Sequence, residues 1–534
     1  MRAWLSTSLR RFYPRSIAEP NVPLTLDAAR GERLSFQASL RIEAGDARIH
    51  ADVDAPDALA VRVRRVGYVP LTHLATHTEP DEIEGFEHLP GLVPDPLFPD
   101  AEAHAGPFET TTFWVSIVVA PDTPPGDYAL TVRLAVHDGP TFTLPATLRV
   151  SPVRLAARRD FPVTHWLYAD ALMDWYGTRL TDDRFWRILD PYLDNLVAHG
   201  SDTLYVPTLT PSLDGIKRPT QLLGIRRDGD GYAFDWSLVR RWLKAAQAAG
   251  LHRLEWAHLF TQWGARHAVR VYLGHGETGD LLWSPETPAT SDTYRAFLTQ
   301  YLGELHTLLG DEDLLDHSFF HLSDEPHGAE QLASYGAARA MLRDIAPWLP
   351  VMDALTEIDF ARQGLTDIPV PSITTAPDFI REGIPAWAYF CCWPRGRYLN
   401  RMLDTPLAKI RMSGWLLYRL KARGFLHWGY NYWYRRETTT LIDPFTINDA
   451  HAWPNWAGGD PFIVYPGPDG PIDSLRWEVF AESLQDYALL QGAGIDPDDP
   501  RLADIHDYAD FPRDPGWTLE RRRELLTQAD VKDL

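Results

Sequence analysis

Cysteine is almost absent from this chain, since only Cys391 and Cys392 occur among its 534 residues. Two neighbouring cysteines cannot supply a long-range disulfide framework, so the sequence favours a reducing compartment. The apolar residues near the N-terminus are interrupted by Ser, Thr and Arg before they could form the apolar core of a signal peptide. We therefore expect a cytoplasmic protein.

An excess of positive charge and long apolar runs are also lacking. The chain has 51 Lys and Arg against 73 Asp and Glu, which gives a formal net charge of -22. This balance repels phosphate backbones and anionic lipids, so we expect neither nucleic acid nor a membrane as a partner. The longest apolar runs, such as residues 113–120, are far shorter than the roughly 20 residues that span a bilayer.

The sequence contains no nucleotide-binding loop, no Gly-x-Ser-x-Gly elbow, and no His-x-His or Cys-x-x-Cys spacing. We therefore expect no cofactor and no metal site. Cys391 and Cys392, which lie between Phe390 and Trp393, are interpreted as buried thiols without a catalytic role. The sequence leaves the oligomeric state open.

Short strands dominate the first part of the chain. Residues 33–42 and 128–134 alternate between apolar and polar side chains, and the segment 124–127 supplies a turn before the second of them. This pattern predicts an antiparallel β-sandwich over residues 1–155. The stretch 79–106, rich in Pro, Asp, Glu and Gly, is interpreted as a long inserted loop.

From residue 156 the pattern changes to repeated strand and helix units. Apolar residues keep helical spacing over 185–197, 238–246 and 294–309, and each stretch is followed within a few residues by glycine and then by a strand-like segment. Such units, without a Gly-rich dinucleotide fingerprint, predict a TIM-type (β/α)8 barrel over residues 156–495. Residues 496–534 are predicted to form a peripheral, helical C-terminal extension.

Two adjacent carboxylates, Asp324 and Glu325, follow the strand-like segment 316–322, and Pro326 disfavours a helical backbone for Glu325. Chemistry in a barrel lies at the C-terminal strand ends, and paired carboxylates suit the cleavage of a glycosidic bond. Two close carboxylates resist ionising together, so we expect Glu325 to be available as a proton donor. The structural alternative is that Asp324 caps a helix beginning near His327, with Glu325 in its first turn.

Tryptophan is abundant, with 20 residues. Sugar rings stack on indole through their C–H faces, while their hydroxyls hydrogen bond to polar side chains. We expect about half of the aromatic residues at strand ends to lie in the barrel core. Trp433 and the nearby Asn431 are the residues that we least expect to find in the core. The predicted substrate-binding residues at strand ends are Trp263, Trp387, Trp428 and Trp433, with His258, Asp353, Tyr389, Tyr430 and Asn431 as polar partners.

Several segments, taken in order, resemble glycoside hydrolase family 123 and its less characterised relatives: 258–264, 321–326, 392–411, 424–433 and 459–467. The resemblance implies a β-sandwich before the barrel and a retaining β-N-acetylgalactosaminidase that acts on a small glycan or glycoconjugate. In the implied mechanism the 2-acetamido oxygen of the substrate attacks the anomeric carbon and an oxazoline-type intermediate forms. Glu325 would then be the acid/base and Asp324 would orient the acetamido N–H. The resemblance also implies a pocket lined by Trp387, Tyr389, Trp428, Tyr430 and Trp433.

Two alternatives remain open at the level of the sequence. In a conventional retaining glycosidase, Glu325 would be the acid/base and Asp353 or Glu255 the nucleophile. A protein without catalytic activity would use the aromatic residues only to bind carbohydrate.

Overall fold

The computed structural model describes residues 1–212 and 217–527. Ten strands form two five-stranded sheets in the N-terminal part, in the orders β1-β3-β8-β5-β6 and β2-β10-β9-β4-β7. All neighbours are antiparallel except β2 and β10. The strands are β1 (Arg2–Thr7), β2 (Leu24–Arg30), β3 (Arg33–Arg41), β4 (Ala47–Asp54), β5 (Leu59–Leu71), β6 (Gly91–Phe98), β7 (Glu102–Ala105), β8 (Thr110–Val119), β9 (Gly126–Val136) and β10 (Thr141–Arg154).

The two sheets share one apolar core. Phe36 and Ile117 from the first sheet belong to the same buried cluster as Leu134 and Leu148 from the second. Along β9 buried residues alternate with more exposed ones, as the period-2 pattern predicts for a strand with one face in the core. The predicted antiparallel sheet region is therefore present.

The prediction of a long inserted loop over residues 79–106 is wrong for its second half. Strand β6 occupies 91–98 and β7 occupies 102–105, while two short 3-10 helices lie before them. Pro94 and Pro96 made this segment resemble a loop. Because β6 is the edge strand of its sheet, prolines are tolerated there.

The second part of the chain is built on short parallel strands. Six form one sheet in the order β16-β15-β12-β11-β20-β19, and β17 and β18 form a separate parallel pair. The core strands are buried, as expected when both faces of a parallel sheet are covered. The strands are β11 (Val163–His165), β12 (Thr203–Val206), β15 (Arg253–Trp256), β16 (Ser318–Phe320), β17 (Met352–Leu355), β18 (Ile368–Pro371), β19 (Ala388–Tyr389) and β20 (Phe425–His427).

Two small antiparallel hairpins complete the strands of the described residues. They are β13 (Gly224–Asp228) with β14 (Gly231–Asp235), and β21 (Tyr465–Pro466) with β22 (Pro471–Ile472). The fold thus combines strands and helices as predicted. Its parallel strands form two separate sheets, so the prediction of an eight-stranded barrel is confirmed only in part.

Helices follow the parallel strands. The three stretches with helical spacing lie within α2, α3 and α4. The helices are α1 (Ala169–Tyr176), α2 (Asp183–Ala198), α3 (Ser237–Ala249), α4 (Asp292–Asp311), α5 (Gly328–Ile345), α6 (Asp359–Arg362), α7 (Ala376–Arg381), α8 (Leu407–Arg411), α9 (Ser413–Arg419), α10 (Leu475–Gly492) and α11 (Pro515–Thr527). None of the helices in the described ranges combines the length and apolarity that crossing a bilayer requires.

Helix α10 joins the two parts of the protein through buried ion pairs. Arg476 contacts Asp95 of β6 at 2.9 Å, and Glu478 contacts Arg64 of β5 at 2.8 Å. Arg522 of α11 is buried and pairs with Glu32 and with Asp486 of α10. The C-terminal helix is therefore packed into this junction, and the prediction that it is peripheral is wrong.

Candidate active site

The acid pair lies in a turn between β16 and α5. The backbone of Glu325 has a φ of 42°, in or near the left-handed region that non-glycine residues rarely adopt outside constrained sites. Two hydrogen bonds hold the turn: Glu325 N donates to Ala354 O at 3.0 Å, and Trp263 N donates to Asp324 O at 2.9 Å. Because strand geometry is lost here, successive side chains can face one cavity.

The helix-cap alternative for Asp324 is wrong. Helix α5 begins at Gly328 with His327 as its N-cap residue, and no side chain caps it. The Asp324 carboxylate instead accepts a hydrogen bond from Gln262 Nε2 at 2.8 Å, and Glu325 Oε1 accepts one from the Tyr389 hydroxyl at 2.6 Å. Both acids are therefore oriented by side chains from other strand ends.

A cavity of about 90 Å³ surrounds the acid pair at the C-terminal ends of the parallel strands. Its residues follow or end β11, β15, β16, β17, β19 and β20, so the cavity lies where α/β folds place their ligands. The lining residues are Trp166, Gln262, Asp324, Glu325, Ala354, Tyr389, Cys391, Cys392, Leu426, Trp428 and Trp456.

Three tryptophans form aromatic walls of this cavity. The rings of Trp428 and Trp456 lie 4.9 Å apart at an angle of 57°. Trp428 Nε1 donates to Asp460 Oδ2 at 3.2 Å, and Trp166 Nε1 donates to Glu255 Oε1 at 2.5 Å. Burial raises the pKa of Asp460 to about 7, although Trp428 lowers it through this hydrogen bond. The indole rings of Trp428 and Trp166 are therefore fixed from behind by buried carboxylates.

A buried ionic network lies beneath the acid pair. His321 Nε2 contacts Glu255 Oε1 at 2.6 Å, and His321 Nδ1 contacts Asp353 Oδ1 at 3.1 Å. Burial by itself lowers the pKa of His321, but the hydrogen bonds to Asp353 and Glu255 outweigh it and raise that pKa to about 10. Asp353 also accepts hydrogen bonds from Ser323 N at 3.2 Å and from the Tyr335 hydroxyl. The network thus reaches the residue directly before Asp324.

The structure brings four predicted site residues together around the cavity: Asp324, Glu325, Tyr389 and Trp428. Trp263 lies next to them, because its backbone N donates a hydrogen bond to Asp324 O. This residue is exposed, with 53% of its surface accessible to solvent.

Four other predicted substrate-binding residues are buried away from the cavity, which corrects their expected position. Tyr430 donates to Asn195 Oδ1 at 2.9 Å, and Trp433 Nε1 donates to Val464 O at 3.2 Å. Asn431 hydrogen bonds with its side chain to both backbone groups of Tyr168, and Trp387 packs against Phe319 with a ring distance of 5.4 Å. Contacts with distant segments therefore place these side chains in the core.

His258 and Asp353 lie behind the cavity wall. The His258 ring stacks on His321 at 4.2 Å, its Nδ1 contacts the Tyr205 hydroxyl at 3.2 Å, and it meets the ring of Trp166 edge-on at 5.5 Å. Both residues are buried, and neither lines the cavity itself. Their contacts position neighbours of the acid pair.

Sequence reasoning missed the other seven residues that line the cavity: Trp166, Gln262, Ala354, Cys391, Cys392, Leu426 and Trp456. Trp166 directly follows β11, and Gln262 lies within the segment 258–264 that carries the family resemblance, so both had a usable signal. Trp456 lies in a loop far from any strand, and no local pattern marks it.

Comparisons with known proteins agree with this architecture. The family model described as "Glycoside hydrolase 123, catalytic domain" matches residues 166–493. The structure of a family 123 glycoside hydrolase from Clostridium perfringens, studied for glycolipid glycan hydrolysis, has a TM-score of 0.76 at 13% identity, with 98% of this chain and 97% of that chain covered. At this identity the likeness shows the fold alone.

Two further glycoside hydrolase structures are too distant to support an argument. A GH5 xyloglucanase from Bacteroides ovatus has a TM-score of 0.28 at 12% identity, covering 83% of this chain and 98% of that chain. A GH10 xylanase from termite gut has a TM-score of 0.33 at 9% identity, covering 88% of this chain and 100% of that chain. No curated protein matches this sequence. Because the family model spans more than half of the chain and includes the cavity with its acid pair, the protein belongs to glycoside hydrolase family 123.

Proposed function

We propose that this protein is a retaining exo-β-N-acetylgalactosaminidase that works by substrate-assisted catalysis. One observation carries the proposal: the carboxylates that line the cavity, among the described residues, are the adjacent pair Asp324 and Glu325. A conventional retaining enzyme needs a second carboxylate across the sugar from the acid/base. The two candidates, Asp353 and Glu255, are fully buried and bonded to His321, so the nucleophile is better supplied by the substrate.

In the proposed reaction, protonated Glu325 donates its proton to the glycosidic oxygen while the 2-acetamido oxygen attacks the anomeric carbon. The bond to the aglycone breaks, and an oxazoline-type intermediate forms. The Asp324 carboxylate accepts a hydrogen bond from the acetamido N–H and stabilises its developing positive charge. Glu325 then removes a proton from a water molecule, which attacks the anomeric carbon. This step opens the oxazoline-type ring, and the product keeps the anomeric configuration of the substrate.

The hydrogen bonds around the pair support these roles. The Tyr389 hydroxyl orients Glu325 and the Gln262 amide orients Asp324, so neither acid has to reorganise during the reaction. Trp428, Trp456 and Trp166 supply apolar surfaces for the sugar ring and the acetamido methyl group. Exposed Trp263 would contact the aglycone, for which the glycan of a glycolipid is the proposed source.

We also propose that the parallel strands close into a (β/α)8 barrel, with residues 1–155, 156–495 and 496–534 as the three parts of the chain. A single parallel bridge, Phe320 with Val351, links β16 to the pair of β17 and β18, and another, Ser372 with Tyr389, links that pair to β19. Together with the ladders, these bridges support a continuous order of eight strands.

A set of nitrophenyl β-glycosides that differ only at C2 and C4 tests the substrate. We expect turnover of the N-acetylgalactosaminide, slower turnover of the N-acetylglucosaminide, and none of the sugars that lack the 2-acetamido group. Efficient hydrolysis of the 2-hydroxy sugars would instead support a two-carboxylate mechanism.

Substitutions at the pair test the roles of the two acids. Glu325→Gln should lower kcat by about 100- to 10,000-fold, the range typical of general acid–base catalysis, and Asp324→Asn should be severely impaired as well. Wild-type rates in either variant would reject the assignment. If the wild type binds N-acetylhexosamines but hydrolyses none, the protein is a carbohydrate-binding protein instead.

An inhibitor separates substrate assistance from other mechanisms. A thiazoline analogue of the proposed intermediate should inhibit competitively, because it reproduces the ring formed by the acetamido group. Activity on the N-acetylgalactosaminide that is insensitive to this analogue would argue against the proposed mechanism.

A further inference from the structure

Cys391 and Cys392 form a pair of thiols in the wall of the active-site cavity. Their Sγ atoms lie 3.7 Å apart, both residues are half-buried, and both line the cavity together with Asp324 and Glu325. The proposed hydrolysis uses neither thiol. We call these two side chains the dithiol pair.

The backbone of the dithiol pair is held in a tight turn after β19. Cys391 N donates to Trp393 O at 3.0 Å, and Asn400 Nδ2 donates to Cys391 O at 2.8 Å. Arg395 Nε donates to Cys392 O at 2.7 Å. These bonds fix the backbone of both residues, and in this conformation the two sulfur atoms lie 3.7 Å apart.

A disulfide within the pair is disfavoured by covalent geometry. The Cα atoms of neighbouring residues across a trans peptide are about 3.8 Å apart, whereas disulfides usually join Cα atoms about 4.4–6.8 Å apart. The peptide between the two cysteines is not among the cis bonds of the described residues. The pair is therefore expected to remain two thiols that can share one ligand.

We propose that the dithiol pair is a binding site for a trivalent arsenic compound with one organic substituent, and that its occupation blocks the active-site cavity. A soft, thiophilic centre of this kind needs two sulfur ligands, and the pair supplies them at short range. In the reaction, R–As(OH)2 and two S–H groups give R–As(S–Cys)2 and two waters. Two As–O and two S–H bonds break, two As–S and two O–H bonds form, and no atom changes its oxidation state.

The position of the pair explains why occupation should inhibit. Tyr389, two residues before Cys391, donates its hydroxyl hydrogen to Glu325, so the arsenic and its substituent would lie near the proposed proton donor. Because Cys391 and Cys392 line the same cavity as Asp324 and Glu325, a phenyl group held on the two sulfur atoms would occupy space that the sugar needs. The binding step does not depend on the proposed hydrolysis, whereas the inhibition rests on it.

The electrostatics of the Cys391 thiol predict selectivity between thiol reagents at this residue. The hydrogen bond with Cys392, and then burial, raise the pKa of the Cys391 thiol well above its usual range, and Glu325 and Asp460 act in the same direction. Alkylation of Cys391 by iodoacetamide requires the thiolate and should be slow. An arsenical whose hydroxyl groups can accept the thiol protons should react faster.

Intact-protein mass spectrometry with phenylarsine oxide tests the binding. Because the chain contains two cysteines, every thiol adduct reports on this pair. We expect one phenylarsenic group per wild-type chain, retained through gel filtration, removed by 2,3-dimercaptopropanol and resistant to a monothiol at equal thiol concentration. Cys391→Ser and Cys392→Ser, with thermal unfolding checked against the wild type, should each lose at least nine tenths of the adduct. No wild-type adduct, or an equal adduct in either variant, would overturn the site.

Activity of the same samples tests the blockade. The adduct should lower hydrolysis of the nitrophenyl N-acetylgalactosaminide at least tenfold, with recovery after addition of the dithiol. An adduct without loss of activity would overturn the blockade while leaving the binding site intact. If the wild type hydrolyses no glycoside, the proposed function fails, and the adduct measurement still decides the binding site.

Discussion

At the scale of single residues, one hydroxyl group orients the proposed proton donor. Tyr389 is buried at the end of β19, and its hydroxyl contacts Glu325 Oε1 at 2.6 Å. Burial raises the pKa of Tyr389 well above its usual range, and the charge of Glu325 raises it further. The phenol therefore keeps its proton at neutral pH and can donate it in a hydrogen bond to Glu325.

Tyr389→Phe should lower kcat/KM about 10- to 100-fold, because a hydrogen bond to a charged group contributes about 1.5–3 kcal/mol. Kinetics on the best nitrophenyl glycoside measure the effect. Tyr430→Phe is the matched control, since it removes a buried hydroxyl that bonds to Asn195 away from the cavity. Equal losses in the two variants would show that the effect of Tyr389 is structural.

Asp460 should make the folded state less stable as the pH rises. Its pKa is about 7 in the folded protein against an ordinary value of 3.8, so the folded protein keeps this proton between pH 4 and 7 while the unfolded chain loses it. The free energy of unfolding should thus fall by a few kcal/mol across this range. In Asp460→Asn, the free energy of unfolding measured with urea should decrease less between pH 4 and 7 than in the wild type. Asp469→Asn, at an exposed position, is the control and should show the same decrease as the wild type. Identical pH dependence in wild type and Asp460→Asn would contradict this prediction.

At the scale of elements, His321 ties together the ends of three strands. It follows β16 and contacts Glu255 of β15 and Asp353 of β17. Asp353 in turn accepts the Ser323 amide hydrogen, one residue before the acid pair. The relative position of these strand ends, and with it the turn of Asp324 and Glu325, therefore depends on one buried cation.

His321→Ala should destabilise the protein by about 3–5 kcal/mol, because two buried carboxylates lose their partner. Urea unfolding at neutral pH measures this change. His317→Ala, at an exposed position four residues earlier, should stay within about 0.5 kcal/mol of the wild type. A small effect at His321 would indicate that Glu255 and Asp353 take up protons or water in its place.

Elements were predictable where their pattern depends on neighbours in sequence. The apolar spacing of α2, α3 and α4 and the alternation of β9 are properties of short segments, and the structure has them where expected. Strand β6 was missed because prolines such as those it contains are tolerated only in an edge strand. Whether a strand lies at the edge depends on the order of strands in the sheet, which the local sequence does not show. The start of α5 at Gly328 likewise depends on residues that follow other strands: Trp263 N, after β15, donates to Asp324 O, and Gly328 N donates to Glu357 Oε1, after β17.

At the scale of the whole molecule, buried ion pairs connect the N-terminal sheets with the parallel part. Arg522 of α11 reaches between Glu32 and Asp486, while Arg411 contacts Asp486 from another side at 2.6 Å. Buried charges of this kind are costly when one partner is removed. The C-terminal helix should therefore contribute to the stability of both parts.

Arg522→Ala should lower the free energy of unfolding by about 3–5 kcal/mol, since Glu32 and Asp486 lose a shared partner. Arg523→Ala is the matched control, because that side chain is 52% exposed and pairs with Asp27 at the surface, where an ion pair contributes about 0–1 kcal/mol. Thermal and urea unfolding measure both variants. Equal stability of the two would mean that α11 does not couple the two parts.

The sequence by itself determined the family resemblance and the position of the acid pair along the chain, because strand alternation, helical spacing and the Asp324–Glu325 motif each lie within short segments. Only the tertiary structure decided which side chains share the cavity. It placed Trp166 and Trp456 beside Glu325 and moved Trp433 into the core. These residues lie more than a hundred positions from Glu325 in sequence, and their contacts depend on how the strands are ordered and packed, which no local pattern records.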